Sequence, residues 1–127
     1  MPHPSQALTE REAQIMEILW DFKEATAERV RERLPDNPHD STVRTLLRVL
    51  KEKGYVRIQG RQPAVYVPII EQKQARHAAA KRLIDRFFGG SVDQLVLHLL
   101  EDERLTPQQL KQLKKRYAAR PRKGERS

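Results

Sequence analysis

The densest group of chemically capable side chains lies between residues 41 and 62. Ser41, Thr42, Arg44, Thr45, Arg48, Lys51, Lys53, Arg57 and Arg61 stand there against the single acid Glu52, a local charge of +5. Hydroxyls and cations in this mixture bind anions rather than make bonds. Hydroxyl and guanidinium groups suit phosphate oxygens, and an arginine can grip O6 and N7 of a guanine through two parallel hydrogen bonds. The chemistry on offer is recognition of a duplex nucleic acid. Most charge runs are only solvated helix faces, so the elements that carry this one decide between the two readings.

Other chemistries lack their residues. The chain has no cysteine, hence no disulfide, no thiolate metal site and no cysteine nucleophile. His3, His39, His77 and His98 are far apart, none with a histidine three or four residues on, so zinc spacing is missing. There is no G-x-x-x-x-G-K-[ST], G-x-G-x-x-G or G-x-S-x-G string, and the acids are spaced as helix-surface residues. The sequence therefore predicts no enzyme, no metal and no cofactor.

The elements follow from hydrophobic period and punctuation. Thr9-Glu10-Arg11-Glu12 is a capping box opening an amphipathic helix over about 9–21, with Ile15, Met16, Leu19 and Trp20 on its stripe. Thr26 caps a short helix with Ala27, Val30 and Leu34 on one face, stopped by Pro35-Asp36-Asn37-Pro38. Ser41, or Asp40 beside it, caps a third helix in which Val43, Leu46, Leu47 and Leu50 keep helical spacing and Gly54 ends it. With that stripe facing a core, Ser41, Thr42, Arg44, Thr45 and Arg48 face solvent. The period then drops to two: Val56 and Ile58 alternate with Arg57 and Gln59, Gly60-Arg61-Gln62-Pro63 turns, and Val65-Tyr66-Val67 returns. Three short helices and a basic-tipped hairpin form the order of a winged helix-turn-helix, whose third helix enters the major groove. Lys51, Lys53, Arg57 and Arg61 would then neutralise flanking phosphates.

Helical period resumes from Glu71. A long helix runs to Phe88 and ends at Gly89-Gly90, Ser91 caps a second, and Thr106-Pro107 opens a third. Six of the nine residues 92–100 are apolar and reach most of the way round that helix, so more than one of its faces must be covered. A second copy of the chain is the simplest cover, through Leu83, Phe87, Leu95, Val96, Leu99, Leu110 and Leu113. A dimer doubles the reading head and gains affinity through effective concentration on a palindromic site.

The fold expected is mainly α with a small β-hairpin wing: a flexible arm at 1–7, a winged helix at 8–70, helical dimerisation at 71–117 and a disordered basic tail at 118–127. The whole chain of 127 residues carries +8, while residues 1–40 alone carry −4, so the positive charge is directed rather than spread. The longest apolar run, Ala64–Val67, is far short of the roughly 20 residues of a membrane span, and MPHPSQALTE lacks a signal-peptide pattern, which predicts a cytoplasmic protein.

The string Ser41-Thr42-Val43-Arg44-Thr45-Leu46-Leu47, followed by Leu50 and Lys53-Gly54, resembles the penicillinase-repressor family of bacterial regulators. Leu8-Thr9, Ile15-Met16-Glu17-Ile18-Leu19-Trp20, Phe87-Phe88-Gly89-Gly90 and Leu95-Val96-Leu97 extend the likeness over about residues 7–117. The resemblance implies a dimeric winged-helix repressor on a dyad operator in double-stranded DNA, with Thr42, Arg44 and Thr45 in the groove. It also implies, for some relatives, inactivation by a membrane-bound sensor protease. The matching bond here is His98-Leu99, where known relatives carry Asn-Phe. The copper-sensing cysteines of other relatives are missing. Two other functions stay open on the residues alone: a non-specific nucleic-acid or chromosome-associated protein, and a winged-helix module that binds only protein.

Overall fold

A computed structural model describes residues 6–121, with helices and strands in the order α1, β1, α2, α3, β2, β3, α4, α5, α6. α1 (Glu10–Phe22) starts at the capping box: Thr9 Oγ1 accepts from the Glu12 N–H at 3.2 Å, and Glu12 Oε1 accepts from the Thr9 N–H at 2.9 Å. Its Ile15, Met16 and Leu19 are wholly buried, and Trp20 donates its indole N–H to the Ile70 carbonyl at 2.9 Å. Each such burial contributes about 1.5–3 kcal/mol, so the apolar stripe rather than helix propensity holds α1 in place. α2 (Ala27–Arg33) is capped by Thr26 Oγ1, which accepts from the Arg29 N–H at 3.1 Å, and buries Ala27 and Val30 before Leu34.

α3 (Asp40–Glu52) buries Val43, Leu47 and Leu50 completely. Its start differs from the expected one. The cap is His39, whose Nδ1 accepts from the Ser41 N–H at 3.2 Å, while Asp40 and Ser41 lie inside the first turn. This places the Asp40 carboxylate at the positive end of the helix dipole, where an anion is favoured. Past the helix, Gly54 takes φ +83, a conformation that a side chain strains.

The hairpin of β2 (Val56–Gln59) and β3 (Val65–Pro68) is joined by a strand that periodicity did not predict, β1 (Ala25–Thr26), because two residues carry no period. The sheet is antiparallel in the order β1-β3-β2, with Tyr66 opposite Ala25 on one side and Ile58 on the other. Only Val56 of β2 is buried, and every residue from Arg57 to Pro63 is exposed, so the hairpin leaves the core as a wing. At its tip Gly60 has φ +78, and a Cβ there would stand 3.3 Å from the Pro63 carbonyl oxygen.

The buried hydrophobic residues form one core that runs from Ile15 to Ala75 and includes Tyr55 and Ile70. Two compact units divide after Ala80, inside α4 (Gln72–Phe87), later than the boundary expected at 70/71. The first turns of α4 belong with the N-terminal unit because Ala75 is in its core and Gln72 Nε2 donates to Glu17 Oε2 at 3.0 Å. The second unit contains α5 (Val92–Glu101), capped by Ser91, and α6 (Pro107–Ala119), which has a Thr106–Gln109 capping box.

Two terminal expectations shift. Gln6 and Ala7, placed in the flexible arm, are held: Tyr55 Oη donates to the Gln6 carbonyl at 2.7 Å and Lys53 Nζ to the Ala7 carbonyl at 3.0 Å. Ala118 and Ala119, placed in the tail, continue α6. The rest of both expectations, residues 1–5 and 122–127, lies outside the described residues. No described helix is long and apolar enough to cross a membrane.

Candidate nucleic-acid interface

One face of α3 is sealed in the core by Val43, Leu47 and Leu50, and Ser41, Thr42, Arg44, Thr45 and Arg48 are all exposed on the other. Three of these five are short hydroxyl side chains, so the helix stays slim where it meets solvent. Lys51 is exposed at its last turn, and Arg57 and Arg61 are exposed on the wing, where Arg57 Nη1 donates to Gln59 Oε1 at 3.0 Å.

Lys53 is different. Its Nζ lies 2.6 Å from Glu12 Oε1, and the two side chains are only 15% and 4% exposed. Burial pushes the Glu12 carboxyl up, but hydrogen bonds from Lys53 and from the N–H and hydroxyl of Thr9, with the Lys53 charge, outweigh it and hold Glu12 below the usual carboxylate range. Lys53 therefore ties α3 to α1 and to the backbone at Ala7, and it is not available for a phosphate. Its partner is 41 residues away in the chain, so no local pattern announces the pair.

The two arginines of α3 also have carboxylate partners, Asp40 for Arg44 at 2.9 Å and Glu52 for Arg48 at 3.2 Å. The i,i+4 spacing makes these pairs legible in the sequence, although a simple sum of charge over residues 41–62 does not register them. The Asp40 hydrogen bond and charge, with smaller contributions from Tyr66 and Glu28, outweigh desolvation and raise the Arg44 guanidinium above its ordinary value. Exposed ion pairs of this type are worth little and exchange readily for other partners. Among the described residues the candidate cations thus fall into three groups: Lys51, Arg57 and Arg61 without an acidic partner, Arg44 and Arg48 in exposed pairs, and Lys53 in a buried one. On α2, Arg29 and Arg33 stack over the Phe22 ring with centroid distances of 4.6 and 5.1 Å.

In the second unit the expected interface residues divide. Leu83, Phe87 and Leu113 are exposed, Phe87 by 68%, while Leu95, Val96, Leu99 and Leu110 are half-buried. Val92, Leu97 and Tyr117 are also exposed and were not among the expected residues. His98 is exposed, lies 3.3 Å from Asp102, and its ring meets Phe88 with a centroid separation of 5.6 Å. Among the described residues no three acids, histidines or cysteines are grouped as a metal site.

Helix, short strand, two helices and a two-stranded wing, with a hydroxyl- and arginine-bearing third helix, define the winged helix-turn-helix class. The chain belongs to the penicillinase repressor family, whose model matches residues 8–119. It is 26% identical to the methicillin resistance regulatory protein MecI of Staphylococcus aureus (strain N315) over 117 residues, 90% of this chain and 95% of that protein. It is 23% identical to the penicillinase repressor of Bacillus licheniformis over 109 residues, 84% of this chain and 85% of that protein. The family is one of repressors and not of enzymes.

Proposed function

We propose that this chain is a sequence-specific transcriptional repressor that acts in the bacterial cytoplasm as a homodimer on a dyad operator. The exposed face of α3 carries the reading: Ser41, Thr42, Arg44, Thr45 and Arg48 project from a helix whose other side is fixed in a core. Such a helix fits the major groove, about 12 Å wide, with Thr42, Arg44 and Thr45 at base edges and Ser41 and Arg48 beside them. Lys51, Arg57 and Arg61 meet phosphates. The names of the relatives, a regulator of methicillin resistance and a penicillinase repressor, support repression and a tie to β-lactam resistance.

Dimerisation rests on the second unit. It exposes Leu83, Phe87 and Leu113 and offers Leu95, Val96, Leu99 and Leu110 at half burial, apolar surface that a second copy covers isologously. Two linked heads then read two half-sites spaced by turns of the duplex. Relief of repression on this reading is a cut at His98-Leu99 by a membrane-bound sensor protease. Within one chain no residue of α5 is fully buried, and a cut there would divide the apolar helix that the second copy covers, so the two reading heads would lose their avidity. Recovery of a fragment ending at His98 from β-lactam-treated cells supports the cut, and an intact chain there removes it.

The deciding experiment titrates the full chain against a selected dyad and a scrambled duplex at one salt concentration. A repressor favours the dyad by ~10³ or more. Arg44→Ala weakens dyad binding about ten- to a hundred-fold and relaxes one base position. Equal affinity for both duplexes replaces this reading with a non-specific nucleic-acid protein, and no binding to either leaves a protein-interaction module.

A further inference from the structure

The two arginines of the α3 face are held by carboxylates of the same helix in different ways. Arg44 donates its Nε to Asp40 Oδ2 at 2.9 Å, whereas Arg48 donates a terminal nitrogen, Nη1, to Glu52 Oε2 at 3.2 Å. A guanidinium can bind side-on through Nε or end-on through its two terminal nitrogens. Glu52 thus takes one of the two terminal nitrogens of Arg48. Asp40 takes only the inner nitrogen of Arg44, and no other hydrogen bond engages Arg44 among the described residues. Its terminal fork is free, and the Nε hydrogen bond favours one orientation of its plane, a bias that grows once a bound duplex shields the pair from water.

We propose that Asp40 is a specificity-determining residue of DNA reading by this chain: it braces Arg44 through Nε so that the terminal fork meets a guanine. This rests on the reading of α3 as the groove helix. The carboxylate also selects by charge. Beside a phosphate it meets a full negative charge and is repelled, whereas the guanine edge presents only neutral acceptors. Asp40 therefore penalises an Arg44 resting on the backbone, a contact that carries no sequence information, more than an Arg44 on a base. The cations without acidic partners, Lys51, Arg57 and Arg61, are left to bind phosphates.

The test uses the full chain. Wild type enriches duplexes from a randomised pool, and Asp40→Asn, Asp40→Glu, Arg44→Lys and Arg44→Ala are titrated against the enriched duplex and a scrambled one of equal composition at one salt concentration. Asp40→Asn should bind the scrambled duplex more tightly, while its preference for the enriched duplex falls about ten-fold, within the range of one lost guanine contact. Asp40→Glu, which keeps a carboxylate, should retain most of the preference. Arg44→Lys keeps the charge but loses the terminal fork together with the Nε, so it tests the guanine contact itself and should lose preference; a retained preference would overturn the proposal. In the Arg44→Ala background, Asp40→Asn should leave the preference unchanged. Equal tightening on both duplexes would show that Asp40 acts only as a charge and overturns the proposal. The same loss of preference in the Arg44→Ala background assigns the effect to the start of α3 and overturns it too. If wild type enriches no sequence at all, the groove-helix reading itself fails, a result distinct from either of these.

Discussion

The two units of this chain treat apolar residues in opposite ways. Up to Ala75, the large side chains Ile15, Met16, Leu19, Leu47, Leu50, Tyr55 and Ile70 are no more than 1% exposed. Beyond it no described residue is buried, and Leu83, Phe87, Val92, Leu97, Leu113 and Tyr117 are exposed. The helices of the second unit are no less well specified: Ser91 and Thr106 cap them, and Thr106–Gln109 forms a full capping box. Capping satisfies backbone groups within a helix, but only packing removes apolar surface from water. The second unit thus has its backbone ends satisfied while much of its apolar surface stays in contact with water within one chain.

Four substitutions break or sharpen this contrast. The largest effect belongs to the closed core: Leu47→Ala should lower the unfolding free energy by about 2–5 kcal/mol in urea titration, independently of protein concentration. A loss well below that range would mean the N-terminal core is not closed as described. In the open unit, Phe87→Ala should cost association rather than folding, about 1.5–3 kcal/mol of dimer stability if the ring is buried between copies. Sedimentation equilibrium reads this directly. A wild-type chain that sediments only as a 14.9 kDa species at micromolar concentration erases the contrast.

Glu12→Gln keeps the capping hydrogen bond but removes the charge facing Lys53, and should cost about 1–2 kcal/mol at neutral pH. The Glu12 carboxyl is held below its ordinary value near 4.5, so its contribution is complete above that pH and is lost as pH falls through the lower folded value. The variant should therefore show a flatter acid limb, and an unchanged limb would place the acid sensitivity elsewhere. The smallest effect is expected at the exposed pair: Arg44→Ala should leave the urea midpoint within error while it weakens binding to the selected duplex, since exposed pairs contribute little to stability. A clear drop in the midpoint would make Arg44 structural.

Much of the N-terminal unit was legible because its signals are local. Thr9 with Glu12, Thr26 and Gly54 mark element ends through contacts within a few residues, and the stripe of Val43, Leu47 and Leu50 follows from helical geometry alone. The candidate site was legible as a list of residues on one helix face and a wing. Its electrostatics were not. The window from 41 to 62 sums to +5, yet Lys53 is neutralised by Glu12 and held under the arm at Ala7. Arg44 and Arg48 each rest on an acid one turn away, and Asp40 stands one residue before the basic stretch. Formal charge counts side chains, while a ligand meets only those without a better partner.

By itself the sequence determined the helices, the caps at Thr9, Thr26, Ser91 and Thr106, the wing and which α3 residues face away from the core, because each depends on spacing within one element or on turn chemistry. Tertiary structure alone decided the rest. It set β1 against β3, which needs a partner some 40 residues on, sealed Tyr55 and Ile70 into the core, and moved the unit boundary into α4. It also separated Lys53 from the cations that remain available to bind. Burial and ion pairing across distant parts of the chain depend on where elements come to lie, and no period or composition encodes that.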